Sequence, residues 1–424
     1  MNGVTVGRLE RARDQALRFY YADSWLSNDY ARPISLSLPL STRTYVGENV
    51  YNFFDNLLPD NAAIRAKIQA RFHAASSHAF DLLSSVGRDC IGAVQLIGDD
   101  EVLDYQSMSY SELSEQEVSH LLGSYREAPL GMSDEYDDFR ISLAGAQEKT
   151  ALLYHNHRWC LPHGTTATSH ILKLPMGVIS HQNIDLRDSC ENEWLCAKIV
   201  NAFGLPVAEC DVKNIGGTKV LVVERFDRRL SSDKSRLIRL PQEDLCQALG
   251  ISPQLKYQSD GGPGIDAVMQ LLLGSQQAAS DRRNFFKSQV IFWCLAAIDG
   301  HGKNFSVHIE AQGRYRLTPF YDILSAYPMI ASKQLQARKI KMAMALRGQN
   351  SHYHWYPVQR RHFISTAKSV NYSAKLAVEI IDEVIESIDP VIARVESQLP
   401  REFPVEIADA IFNGMRSFKR RLML

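Results

Sequence analysis

Ile298-Asp299-Gly300-His301-Gly302-Lys303-Asn304 is the stretch that decides how this 424-residue chain is read. A carboxylate is followed five positions later by an amide, with His301 and Lys303 between them. The preceding residues, 285–297, read as an apolar helix, so the polar cluster stands where a buried element ends. Phosphoryl transfer needs such a set. An acidic side chain accepts the hydroxyl proton, an Asn holds a metal, and cations offset the charge on the transferred group. The Asp-to-Asn spacing equals that of a protein-kinase catalytic loop. A helix-capping turn uses the same residue types, so the rest of the chain must decide between the two readings.

Upstream, four features bear on the choice. Residues 141–153 place strand-like ends around Ala144-Gly145-Ala146-Gln147-Glu148-Lys149, a small-residue turn of the kind that can drape backbone N–H groups over phosphates. It is not a Walker A loop, and an ordinary hairpin has the same look. His170-Ile171-Leu172-Lys173-Leu174 is a strand with a lysine inside it, suited either to a phosphate or to guarding a sheet edge. Residues 191–203 then read as an amphipathic helix stopped by Gly204, with Glu193 near its start as a partner for Lys173. Strand lysine followed by helix glutamate is the ion pair that kinase activity requires. Residues 220–229 run from an apolar strand into Glu224-Arg225-Phe226-Asp227. This is either a hinge that reads an adenine edge or a strand leaving the core.

Downstream, 305–309 and 315–318 read as a hairpin around Gln312-Gly313. Asp322 follows one hairpin after Asp299, as a two-carboxylate Mg2+ site requires. The Tyr257-to-Gly264 run is a loop by composition, and its glycine cluster suits either substrate access beside a cleft or, more readily, a plain connector. In the first 125 residues, 34–38 and 92–97 alternate or cluster like strands, 49–56, 62–72 and 80–86 read as helices, and Val4-Thr5-Val6-Gly7 opens a strand. Residues 100–135 read as an acidic linker with one surface helix. The last stretch, 330–424, reads as mainly helical, with one helix over 367–389. Its basic clusters, Arg338-Lys339-Ile340-Lys341 and Arg416 with Lys419-Arg420-Arg421, suit solvent better than a phosphate backbone.

Bulk properties bound the function. Hydrophobic content of 45% and charged content of 22% are ordinary for a globular protein, and the length suggests two or three domains. A formal net charge of -1 excludes a bulk electrostatic nucleic-acid binder. The seven cysteines form no C-x-x-C pair, which points to a reducing compartment without disulfides or structural zinc. His352 and His354 read as solvated loop residues. No leader or membrane span is evident, so cytoplasm is the expected location.

Taken together, these motifs resemble the HipA serine/threonine kinase toxins of HipBA toxin–antitoxin modules. The resemblance also rests on Phe53-Phe54-Asp55-Asn56-Leu57-Leu58-Pro59-Asp60, Val223-Glu224-Arg225-Phe226-Asp227-Arg228-Arg229, the run from Tyr257 to Gly264, Asn304-Phe305-Ser306 and Leu317-Thr318-Pro319-Phe320-Tyr321-Asp322. It spans nearly the whole chain. The N-terminus begins several residues inside the family's usual start, and 335–360 matches poorly.

The resemblance implies an α+β, two-lobed protein-kinase-like (phosphatidylinositol-kinase-like) fold. Residues 1–125 would be an N-terminal subdomain, 126–228 the kinase N-lobe and 229–424 a helical C-lobe. It implies ATP and Mg2+ as cofactors. Ala144, Gly145, Ala146, Gln147, Glu148, Lys149 and Lys173 would take the ATP phosphates, and Glu224, Arg225 and Phe226 the adenine. Asp299 would be the catalytic aspartate, and Asn304 and Asp322 would bind Mg2+. His301, Gly302, Lys303 and Tyr321 would line the nucleotide site, and Ser142 would be autophosphorylated to switch the enzyme off. The implied partners are a dimeric helix-turn-helix antitoxin resembling HipB, operator DNA through that complex, and a protein of translation, notably glutamyl-tRNA synthetase. An inactive co-repressor and a small-molecule phosphotransferase are the rival readings.

Overall fold

The computed structural model describes residues 1–99, 101, 104–105, 107–127, 143, 149–179 and 184–423. The chain forms two compact units. The first takes Met1–Leu174, Asp211–Gln254 and Ser306–Tyr315, and the second Pro175–Cys210, Leu255–Phe305 and Arg316–Leu424.

The first unit opens with a three-stranded sheet, β1 (Gly7–Arg11), β2 (Leu17–Tyr21) and β3 (Thr44–Val46), with β1 and β3 at its edges. Helices α1 (Glu48–Asp55), α2 (Ala62–Arg71) and α3 (Ala79–Val86) follow. Their apolar residues Phe53, Phe54, Ile68 and Leu82 join Phe19 and Tyr21 of β2 in one core. Asn61 starts α2 by accepting the N–H groups of Ala63 and Ile64, the ordinary role of an N-cap amide.

A six-stranded sheet follows. It uses β4 (Tyr110–Leu113), β5 (Lys149–His155), β6 (Arg158–Pro162), β7 (His170–Lys173), β8 (Cys210–Ile215) and β9 (Thr218–Glu224) in the order β8-β9-β7-β5-β6-β4. Helix α4 (Glu115–Glu127) supplies the expected helix of the acidic stretch. A short pairing of β10 (Gln242–Asp244) with β11 (Ser306–Ile309) completes this unit.

Two expected strands of the first unit are absent. Residues 34–38 alternate like a strand but have no ladder, because side chains take their N–H groups. Ile34 donates to the Tyr21 hydroxyl (2.9 Å), Leu36 to Glu243 (2.7 Å) and Ser37 to the Ser35 hydroxyl (3.1 Å). Residues 92–97 run without strand pairing, the Leu96 N–H going instead to the Gly87 carbonyl (2.8 Å).

Burial around Glu243 has a consequence for stability. No part of this side chain is exposed, and burial pushes its carboxyl up to about 8, with bonds from Leu36 and Ser35 opposing. Between the unfolded value of 4.5 and about 8, the unfolded chain releases this proton while the folded chain keeps it. Stability therefore falls as pH rises through that window, by about 1.4 kcal/mol per pH unit. Glu243→Gln keeps an acceptor for Leu36 and removes the ionisation. Its melting temperature should exceed the parent's at pH 8.5 and match it at pH 5, and equal melting at both would contradict this account.

The second unit is largely helical. It contains α5 (Ser189–Ala202), α6 (Ile265–Leu271), α7 (Ala278–Leu295), α8 (Arg360–Ser369), α9 (Ala374–Glu396) and α10 (Val405–Met423). The helix expected over 367–389 is two, parted at Asn371, whose φ is +49°. Between α7 and α8 lies a hairpin, β12 (Lys341–Arg347) and β13 (Ser351–His354), which the largely helical reading of 330–424 missed. His352 and His354 are thus strand residues and not loop residues, with the His352 ring 4.3 Å from that of His362.

The C-terminal basic cluster is engaged within this unit. Lys419 pairs with Asp389 (2.5 Å), and the Arg421 guanidinium lies 4.2 Å over Trp355. All seven cysteines are free thiols. No helix among the described residues is long and apolar enough to cross a membrane.

Candidate active site

Helix α7 delivers the Asp299 loop. Its core residues Phe285, Val290, Ile291 and Phe292 are buried, and it ends on Ala296 in the left-handed conformation (φ +48°). The Ala297 N–H reaches back to the Phe292 carbonyl (2.8 Å), closing the last turn. The chain then turns at Gly300, where a Cβ would come within 2.8 Å of the Phe292 ring, so only glycine fits. Phe305, directly after Asn304, packs on Phe285, Phe292 and Phe320 with ring centroids 5.2, 5.7 and 6.1 Å away. This aromatic cluster ties the Asp299 loop to the segment carrying Asp322.

The polar groups converge on that frame. Asp299 is exposed and accepts the Tyr257 hydroxyl at 2.5 Å. The Tyr257 ring meets His301 edge-on at 5.0 Å. Asn304 donates to Asp322 at 3.0 Å and accepts the His301 N–H at 3.3 Å. Tyr321 donates to the Lys303 carbonyl at 2.9 Å, and the Gly302 N–H goes to the Lys256 carbonyl at 3.1 Å. His301, Gly302, Lys303 and Asn304 are buried.

Asp322 holds φ +59°, a conformation that costs a non-glycine residue energy and persists only where neighbours enforce it. Those neighbours are identifiable. Asp281 of α7 accepts the Leu317 N–H (2.9 Å). Asn192 of α5 clamps Ser325 with two bonds, to its carbonyl (2.8 Å) and from its N–H (2.9 Å). Asn192 is buried beside Glu193, whose helix is covered on most faces and not amphipathic as expected.

The run from Tyr257 to Gly264 belongs to the resemblance, but the sequence assigns Tyr257 itself no role, since its loop reads more readily as a connector than as a route for substrate. The available signal was its glycine cluster. At Gly262 a Cβ would fall 2.0 Å from the Leu255 carbonyl, so the loop is folded too tightly for a mere spacer. Gln258 holds it from the other side, accepting the Ala345 N–H of β12 (2.7 Å).

The donor set fits a hard divalent cation only in part-protein form. Among the described residues no three His, Cys, Asp or Glu side chains group together. One carboxylate with an amide oxygen suits Mg2+, which takes its remaining ligands from water and phosphates.

In the first unit, Lys149 and Lys173 are directly opposite each other on β5 and β7, and Leu221 of β9 faces Lys173 from the other side. Opposed residues of adjacent strands share a face, and like charges there are unfavourable. Such a pair suits an anion. Lys173 is buried and Lys149 partly so.

Glu224 ends β9 exposed, and Phe226 packs edge-on against His308 at 5.8 Å. The Arg225 side chain, expected beside adenine, is instead fully enclosed, pairing with Asp227 (2.8 Å) and Asp89 (3.3 Å). Its N–H goes to the Ser169 carbonyl (2.9 Å). The expectations at Ser142 and at Ala144, Gly145, Ala146, Gln147 and Glu148 lie outside the described residues.

Comparison with known proteins bears on the family and the fold. Residues 141–392 match the HipA-like C-terminal domain and residues 1–97 the HipA N-terminal domain. A Sinorhizobium fredii protein with the provisional name kinase Y4mE is 33% identical over 78% of each chain. The serine/threonine-protein kinase toxin HipA of Shewanella oneidensis is 27% identical over 72% of this chain and 69% of its own. The HipA chain solved from that organism with HipB and operator DNA superposes with a TM-score of 0.82, at 21% identity, over 100% of this chain and 96% of that one. The α+β fold is therefore that of HipA, as the resemblance implied. With the C-terminal domain model covering more than half its length, the chain belongs to the HipA family.

Proposed function

We propose that this protein is an ATP- and Mg2+-dependent serine/threonine protein kinase and the toxin of a toxin–antitoxin pair. The observation that carries the reading is the cluster of exposed Asp299, hydrogen-bonded by Tyr257, with Asn304 and Asp322 held together on the following turns. In this reading Asp299 accepts the proton of the attacking hydroxyl. Asn304 and Asp322 hold Mg2+, which when bound offsets charge on the phosphates. Lys149 and Lys173 receive phosphate oxygens, and Glu193 is the partner that orients Lys173. Glu224 and Phe226 serve the adenine, while Arg225 supports them from the buried network. His301, Lys303 and Tyr321 shape the nucleotide site.

Tyr257 acts through Asp299. Its hydroxyl fixes the rotamer that presents the second carboxylate oxygen to substrate. Tyr257→Phe should lower kcat about tenfold, the worth of one charge-assisted bond, with KM for ATP little changed. A variant that loses ATP affinity and keeps kcat would remove that role.

The partners proposed are a dimeric helix-turn-helix antitoxin, operator DNA through the complex, and a protein of translation such as glutamyl-tRNA synthetase. Support comes from the Shewanella oneidensis relative, solved with HipB and operator DNA. Ser142 is proposed as the self-inactivating site. A phosphate there would bring up to about two negative charges into a loop that receives ATP phosphates. Mass spectrometry after incubation with Mg-ATP and cell lysate should find phosphate on Ser142 and on serine or threonine of other proteins. Phosphate confined to small molecules would instead favour the small-molecule phosphotransferase, and none at all the inactive co-repressor.

A further inference from the structure

Tyr257 and Asp299 come from separate loops of the second unit and meet where solvent reaches Asp299. Water competes for both groups there, so their single bond contributes too little to hold the loops together. Three ties flank the pair instead. The Gly302 N–H reaches the Lys256 carbonyl (3.1 Å), directly before Tyr257. The Ala343 N–H of β12 reaches the Ile298 carbonyl (2.9 Å), directly before Asp299. The Ala345 N–H of β12 reaches Gln258 Oε1 (2.7 Å), directly after Tyr257.

Two of these ties leave β12 from alternate residues, and alternate N–H groups of a strand point to the same edge. Strand β13 pairs with Lys341, Leu346 and Arg347, and the register shifts between Lys341 and Leu346. Ala343 and Ala345 lie within that shift. An irregularity of this kind re-aims strand groups, often beside an active site. The strand itself is well anchored. Met342, Met344 and Leu346 are buried, the Arg347 N–H donates to the Thr366 hydroxyl (2.7 Å), and that hydroxyl donates to the His362 carbonyl of α8 (2.7 Å). One fixed strand edge therefore holds both loops.

Gln258 makes its tie with a side chain, and Gly264 leaves room for it. The φ of Gly264 is -97°, open to any residue. A Cβ there would nonetheless lie 2.3 Å from Gln258 Nε2 and 2.8 Å from Asp266 Oδ1. Glycine at 264 thus answers to the space the Gln258 amide occupies and not to backbone conformation.

We infer that Gln258 is a positioning residue for phosphoryl transfer: docked on the β12 edge that also holds Ile298, it sets the Tyr257 hydroxyl against Asp299. The inference rests on the kinase reading above, and Gln258 acts through Tyr257.

The test uses the full chain. Gln258→Met keeps the length of the side chain and removes the acceptor. It should lower kcat about fivefold, as the loss of one neutral hydrogen bond does, with KM for ATP unchanged. Gln258→Glu keeps an acceptor and should recover most of kcat, and Gly264→Ala should repeat the loss by displacing the amide. In a Tyr257→Phe chain the bond to Asp299 is already gone, so adding Gln258→Met should cost less than about twofold more. A merely structural role would cost the same factor in both backgrounds. Carbon-13 NMR of tyrosine-labelled protein reads the placement without turnover. The Tyr257 Cζ signal, assigned by its loss in Tyr257→Phe, should move in Gln258→Met in the direction it takes in Asp299→Ala. Equal losses in the two backgrounds, a raised KM at unchanged kcat, or an unmoved Tyr257 signal would overturn the inference. The signal also separates it from the kinase reading. With no labelling of protein by the parent, movement in Gln258→Met would still support the placement of Tyr257 by Gln258, and its absence would sink it.

Discussion

Asp89→Ala should destabilise the first unit by about 3–5 kcal/mol, the range seen when one partner of a buried charge network is removed. Asp89 is entirely enclosed and is shared by three arginines, with Arg225 at 3.3 Å, Arg228 at 3.0 Å and Arg239 at 2.9 Å. The Thr168 hydroxyl donates to it as well (2.6 Å). Burial alone would raise its carboxyl, but the guanidinium charges and Thr168 outweigh burial and hold it well below the usual carboxylate range.

Asp227 is the second anion of the cluster and sits at about 2, burial again being outweighed by Arg225 and Arg228. Removing Asp89 leaves three buried cations facing one carboxylate. Against a total stability of about 5–15 kcal/mol for a typical domain, this loss is large. The sign with pH also follows. A carboxyl depressed on folding contributes stability that is present above the unfolded value of 3.8 and is lost as pH falls through the folded value. The variant should therefore melt well below the parent at pH 7, with the gap narrowing towards pH 2. A shift of only a degree or two at pH 7, read by circular dichroism, would show that the network is not a structural keystone.

This cluster also shows where reading the sequence stops. Arg225 stands in a run whose position suggested adenine binding, and the side chain is spent on Asp89, more than a hundred positions away in sequence. A closure of that kind joins four segments and leaves no periodicity to find. The same limit hid Tyr257, whose partner Asp299 comes from another loop. Alternation misled at 34–38, because it reports burial and cannot tell whether a strand or side chains will take the N–H groups.

Local patterns carried further. The apolar run into α7, the lysine inside β7 and the strand β9 all form as their residue patterns predict. Each of those expectations depends on neighbours within about two turns of helix or one strand. Asp322 lies between these cases. Its residue type suggested a ligand, while the backbone strain at φ +59° that marks it out becomes visible only in the fold.

Asp299→Asn should reduce phosphate transfer by about a thousandfold, within the range that a positioned general base contributes. The amide is the same size and can still accept the Tyr257 hydroxyl, so the loop on α7 should keep its shape. It cannot take the proton of an attacking serine or threonine. Asp299 is exposed and makes no part of the Phe285–Phe292–Phe305–Phe320 packing, so melting temperature and Mg-ATP affinity should stay near the parent's. Loss of transfer together with retained nucleotide binding separates catalysis from folding. The decisive measurement is incorporation of radiolabel from [γ-32P]ATP into protein substrate by the parent chain and by Asp299→Asn, side by side. The account predicts labelling by the parent and almost none by the variant at equal Mg-ATP occupancy. Undiminished labelling by Asp299→Asn would contradict it.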